Sequence, residues 1–131
     1  MNRFAKRVAM AAAFAVVAGA AFAEPIVGLW QTQPDDGAYA HVQIAPCGAN
    51  FCGTIVKTFK GGAEIKSPNV GKQLVRDMAA KGGGAYEGKV WRPSNNKIYM
   101  GKVAVSGSTM KLSGCVAGGL ICSKQDWKKI Q

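Results

Sequence analysis

Few residues in this sequence have the type and spacing to do chemistry. His41 is the single histidine, which excludes any site needing two imidazoles. It stands beside Val42 in an alternating run, so its ring points away from the side carrying Val42 and Ile44. If those two face a core, His41 faces solvent. Adjacent carboxylates occur only at Asp35-Asp36, and neighbouring side chains on a strand or turn diverge rather than converge on one proton. Asp36-Gly37 reads as a turn. Gly82-Gly83-Gly84 lacks the Lys-Ser/Thr that completes a phosphate loop. No nucleophile–base constellation is visible. No catalytic residue and no cofactor is assigned, and the chain reads as a non-enzyme.

The four cysteines carry the clearest chemistry. Cys47, Cys52, Cys115 and Cys122 form an even set, which in an oxidising compartment implies two disulfides. Of the three pairings, Cys47–Cys52 with Cys115–Cys122 is favoured. Each of these pairs brackets a turn-rich stretch, Gly48-Ala49-Asn50 and Gly118-Gly119, so each bridge would staple one hairpin. The C-x4-C and C-x6-C spacings fit a zinc site poorly, and no metal site is assigned. A redox-active pair is disfavoured because no C-x-x-C occurs.

Aromatic residues are the better candidates for binding. Trp30, Tyr39, Trp91, Tyr99 and Trp127 all fall on predicted strands, where packing is their default role. In a barrel, inward aromatics also line a cavity and select its ligand. Trp30, Tyr39, Trp91 and Tyr99 are therefore the candidate ligand-binding residues. Trp30 is also expected to seal one end, and Trp91 and Tyr99, on neighbouring strands, are the better candidates for a pocket wall.

The segments that must position these residues begin with one that is expected to be removed. Residues 1–23 read as a secretory signal peptide. Arg3, Lys6 and Arg7 form the positive start, Val8–Ala18 is apolar, and Ala21-Phe22-Ala23 presents small residues for cleavage before Glu24. The whole chain has 131 residues and a net charge of +10. Cleavage removes three of 17 basic residues, leaving 14 against 7 acidic, a net +7. No later run is long enough to span a bilayer, so residues 24–131 are expected to be one domain, not integral to a membrane. The expected location is periplasmic or secreted. A basic exported protein is not expected to meet nucleic acid. Its surface would instead meet anionic lipid or wall polymer.

Residues 24–131 read mostly as strands between turn signals. The predicted strands are 26–33, 38–46, 51–59, a short 63–66, 85–92, 97–105, 109–116 and 121–130. Ser94-Asn95-Asn96 is a hairpin turn signal. One segment breaks the rhythm. Ser67 can cap a helix, Pro68 suits its first position, and Val70, Leu74, Val75 and Met78 recur at helical spacing before Gly82-Gly83-Gly84. A short helix is predicted there, with an irregular Gly-rich loop as the alternative. Either would lie over one end or side of the sheet as a lid. So many strands with short links predict an all-β antiparallel sandwich or barrel. A barrel of about eight strands has an interior just filled by side chains, or one that holds a single small ligand.

The chain resembles an exported bacterial family known as domain of unknown function 2147. The resemblance rests on Gly28-x-Trp30, Cys47 with Cys52-Gly53-x-Ile55, then Trp91, Pro93, Lys97-x-Tyr99, Leu112, Gly114-Cys115 and Gln125-x-Trp127. It implies a lipocalin-like, calycin-type barrel. Gly28-x-Trp30 is similar to the G-x-W that opens lipocalin barrels, where the Trp plugs the closed end. The resemblance further implies that a basic side chain of the last strand, Lys128 or Lys129, packs on that Trp. The sequence differs from the family in having Pro68-Asn69 with widely spaced Lys72 and Arg76, and Ser94-Asn95-Asn96 after the mid-chain Trp.

Two functions follow as expectations. The first is a non-enzymatic binder of a small apolar or amphipathic ligand in the cell envelope. The second is an envelope interaction protein whose basic surface binds an anionic polymer or a protein partner, with no ligand cavity. A cavity in the interior, and lysines gathered on one face, are the features that separate them.

Overall fold

The structure, a computed structural model, describes residues 24–131. The expected signal peptide, residues 1–23, lies outside the described residues. The strands are β1 (Gly28–Gln31), β2 (Ala38–Cys47), β3 (Asn50–Lys60), β4 (Ala63–Ile65), β5 (Gln73–Gly82), β6 (Ala85–Arg92), β7 (Lys97–Ser106), β8 (Thr109–Val116) and β9 (Ile121–Lys129). A 3-10 turn, Ala117–Gly119, joins β8 to β9. The order β2-β1-β9-β8-β7-β6-β5-β3 closes through a β2–β3 pairing, and β4 hangs from the outer end of β3. The result is a closed antiparallel barrel of eight strands, and closure removes the edges that a small sheet must otherwise protect.

Alternation along each strand fills the interior. Val42 and Ile44 on β2, Ile55 on β3, Val75 and Met78 on β5, Tyr86 and Val90 on β6, Val103 on β7, Met110 and Leu112 on β8 and Trp127 on β9 form one buried cluster with Trp30. Burying side chains of this size contributes about 1.5–3 kcal/mol each, so the cluster is the main stabilising term.

One end of the barrel is plugged. Trp30 is fully buried and donates from its indole N–H to the carbonyl of Ile26 (2.9 Å), itself fully buried. The Lys129 ammonium lies 5.7 Å from the Trp30 ring centroid, the cation–π contact that the resemblance implies. Gly28 makes this possible. Its φ is +144°, and a Cβ there would stand 2.6 Å from the Gln131 carbonyl oxygen and 2.7 Å from the Lys129 Cε. At the same end Tyr86 donates to the Glu24 carboxylate (2.6 Å). Burial, and then that bond, push the Tyr86 hydroxyl up to about 12.

The predicted helix is not formed. Residues 66–72 are a loop, and Gln73–Gly82 is the strand β5, paired with β3 and β6. The helical spacing comes from two irregularities in that strand. Gly53 pairs with Val75 while the next residue, Thr54, pairs with Gln73, which leaves Leu74 as an extra residue. Arg76 pairs with Lys89 but Ala79 with Glu87, which leaves another extra residue near Asp77, whose φ is +53°. Each bulge resets the alternation. Leu74, Val75 and Met78 are thereby all buried, at a spacing that imitates a helix face. The lid expected from this segment is therefore part of the barrel wall.

Both hairpin staples are present. Cys47–Cys52 closes the β2–β3 turn with a Cα separation of 5.7 Å, and Cys115–Cys122 joins directly opposed residues of β8 and β9 at 4.1 Å. Two disulfides fit an oxidising environment.

Candidate functional site

The end of the barrel opposite Trp30 is open. The β1–β2, β3–β4, β6–β7 and β8–β9 connections all lie there, as the antiparallel register requires. Below them is a cavity of about 560 Å³. A volume of this size falls in the range of small-molecule sites, roughly 300–1,000 Å³.

The walls combine apolar and polar side chains. The apolar lining is Ala40, Ile55, Leu74, Val90, Leu112 and Trp127. All six are buried. Trp127 is fixed by an indole bond to the Gln125 side-chain oxygen (2.9 Å). Among them stand the hydroxyls and amides of Thr32, Thr58, Tyr99, Ser123 and Gln125, with Thr58 opposite Ala40, Tyr99 opposite Val90 and Gln125 opposite Leu112. Thr32 is committed, because its hydroxyl accepts the Ala40 amide at 2.9 Å. Thr58 is not. It pairs with Ala40, its hydroxyl oxygen is buried, and that oxygen has no hydrogen-bond partner. A buried hydroxyl left in this state costs about 1–3 kcal/mol.

Charge is confined to the rim. Arg92 at the end of β6 makes a two-pronged contact with Asp35 in the β1–β2 connection, 2.8 Å on each prong, and Ser94 adds a bond of 3.3 Å. β1 and β6 lie four strands apart in either direction around the barrel. The ion pair is therefore a strap across the mouth. The Arg92 hydrogen bond holds the Asp35 carboxyl below the usual carboxylate range, although partial burial opposes this. The Arg92 guanidinium is correspondingly held above its ordinary value by Asp35.

The sequence-predicted aromatics separate. Tyr39, Trp91 and Tyr99 line the cavity, and Trp30 is not among the lining residues. Tyr99 pairs with Val90 and its hydroxyl accepts the Asn95 side-chain amide at 2.7 Å. Tyr39 stacks on Phe59 (4.8 Å) and contributes at the edge. The Trp91 indole donates to Asn96 (2.9 Å), and Lys72 and Arg76 lie over its ring at 5.5 and 5.9 Å. The widely spaced Lys72 and Arg76 thus meet on one ring.

His41 is half-buried on the outer side of β2, bonded to Gln31 (3.1 Å) and 4.6 Å from the Phe59 ring centroid. Burial, and then the Lys57 charge, hold its pKa below the ordinary value. Among the described residues no group of His, Cys, Asp and Glu is arranged to hold a metal.

Sequence reasoning did not single out Thr58 or the Asp35–Arg92 strap. Arg92 was legible in part, because it is in phase with the inward Val90. Thr58 was not, because a bulge opposite His41/Val42 shifts the phase of β3 after Ile55.

An antiparallel eight-stranded barrel, plugged by a Trp at one end and open to a cavity at the other, defines a lipocalin-like protein. Within that class the chain belongs to the bacterial family described as "Uncharacterized protein conserved in bacteria (DUF2147)", which it matches over residues 28–129. No curated protein matches it. Among solved structures it is similar to protein HP1028 from the human pathogen Helicobacter pylori, described as belonging to the lipocalin family. The TM-score is 0.65 at 17% identity, over 81% of this chain and 83% of that one. At that identity the likeness speaks for the fold.

Proposed function

We propose that this protein is a non-enzymatic binder of a small amphipathic molecule, exported to the periplasm or secreted. The observation that carries the reading is the open cavity of about 560 Å³, whose wall combines buried apolar side chains with hydroxyls and amides under a charged rim. A wall of this kind suits a molecule with an apolar body and a few polar groups. Two disulfides and the signal-like residues 1–23 support a location outside the cytoplasm. The second reading required an interior without a cavity, and the space in this barrel favours the first.

Titration of the purified protein with a fluorescent long-chain fatty acid, followed by tryptophan emission, tests the proposal. Saturable binding at one site per barrel is expected. Ser123→Trp places a large ring at the rim without entering the buried cluster, and it should weaken binding at least tenfold. Absence of saturable binding, or equal binding by Ser123→Trp, would overturn the reading.

A further inference from the structure

The tip of the β8–β9 hairpin is apolar and unprotected. Leu120 is 86% exposed and Ile121 64%, the two most exposed large aliphatic side chains among the described residues. Beside them Ile98 and Met100, on the outer face of β7, are also exposed. The tip leans on that strand, since a Cβ on Gly119 would meet the Met100 sulfur at 3.2 Å and the Lys102 ammonium at 3.3 Å. These side chains therefore form one patch, next to the mouth of the cavity.

The charge around the patch is mainly basic. Lys89, Lys97, Lys102 and Lys124 lie on the strands β6, β7 and β9 around it, while Arg92 is paired with Asp35 and Lys111 with Asp126. Lys102, Ser113 and Lys124 form a cross-strand row just below the tip, with Glu87 opposite Lys102 at its far end. The Cys115–Cys122 bridge sits directly under the tip and fixes its shape, so little ordering entropy is lost when it meets a partner.

We propose that this end of the barrel docks on a membrane surface bearing anionic headgroups. Leu120 and Ile121 enter the boundary between headgroups and acyl chains, and the lysines meet the phosphates. A few aliphatic side chains projecting from a stiff tip suit partial insertion, and the lysine row adds attraction to an anionic surface. A stable protein partner buries roughly 1,200–2,000 Å² in total, which calls for a broad complementary face rather than a tip. The proposal rests on the binding reading above in one respect: docking at this end sets the cavity mouth against the source of an amphipathic ligand.

Co-sedimentation of the purified protein with vesicles tests it, comparing phosphatidylcholine alone with a phosphatidylcholine–phosphatidylglycerol mixture. Binding to the mixture should be at least tenfold stronger, and 0.5 M salt should reduce it. The double substitution Leu120→Ser/Ile121→Ser, at exposed positions outside the core, should weaken it at least tenfold. Unaltered binding by that variant would overturn the insertion of the tip. Failure of the protein to sediment with either vesicle would overturn docking altogether. A wild-type dimer in analytical ultracentrifugation that the substitutions dissolve would reassign the patch to a protein contact, and so overturn the proposal. Fatty-acid titration of the same variant without vesicles keeps the two readings apart. Loss of vesicle binding with retained cavity binding is the expected pattern, whereas vesicle binding without cavity binding would leave docking standing and remove the proposed ligand.

Discussion

Replacing Thr58 by valine should make the barrel more stable. Valine has nearly the shape of threonine, so the packing against Ala40 across the β2–β3 pair is retained. The change removes one buried hydroxyl that has no partner. Such a group costs about 1–3 kcal/mol, and replacing it by a methyl should return about 1 kcal/mol or more. For a domain of this size, 1 kcal/mol moves Tm by about 4–8 °C. Thermal unfolding followed by circular dichroism reads the shift directly, with Thr58→Ser as the control that keeps the hydroxyl. A Tm for Thr58→Val equal to or below that of the wild type would refute the reasoning, because it would mean that the buried hydroxyl costs the fold nothing.

Three further outcomes follow from the same geometry. Lys129→Met keeps the alkyl stem but removes the charge over Trp30, and should cost about 1 kcal/mol by urea unfolding, whereas the exposed neighbour change Lys128→Met should be within experimental error. The Asp35–Arg92 strap contributes stability at pH values above the ordinary carboxylate pKa of about 3.9, because the Asp35 pKa is lowered in the fold. That contribution is lost as pH falls through the folded value, so urea midpoints of wild type and Asp35→Asn should converge as the pH drops below the ordinary carboxylate range, and a gap that stays constant into acid would count against the strap. Tyr86 behaves in the opposite sense. Its pKa rises from 10.0 to about 12, so its contribution is complete below pH 10 and disappears as pH passes 12. Tyr86→Phe should therefore be less stable than wild type by about 1 kcal/mol at pH 8 and show a smaller loss between pH 10 and pH 12, read by urea midpoints.

The barrel was legible in the sequence where each strand obeyed strict alternation and ended in a recognisable turn. β6 and β8 fall on their predicted residues, 85–92 and 109–116, and β2 and β7 differ by one residue at one end. The same local signal failed at β5, where two extra residues reset the alternation and gave Leu74, Val75 and Met78 a helical spacing. Nothing within the segment marks those bulges as strand irregularities. They are visible only against β3 and β6, whose pairing imposes an extended chain. The candidate site divides in the same way. Cysteine positions and the Gly28-x-Trp30 pattern depend on neighbours close in sequence, and both staples and the plug were legible. The strap was hidden because Asp35 and Arg92 are 57 residues apart and meet only when the barrel closes. Asp35-Asp36-Gly37 still forms a turn, with φ of +54° at Asp36 and +76° at Gly37. That turn carries Asp35 towards the far wall, so a segment read as punctuation also sets the width of the mouth. Residues that make local turns at the open end therefore have two constraints to satisfy. An enlarged mouth, with faster ligand exchange and an unchanged cavity floor, is what loss of Asp35 should leave behind.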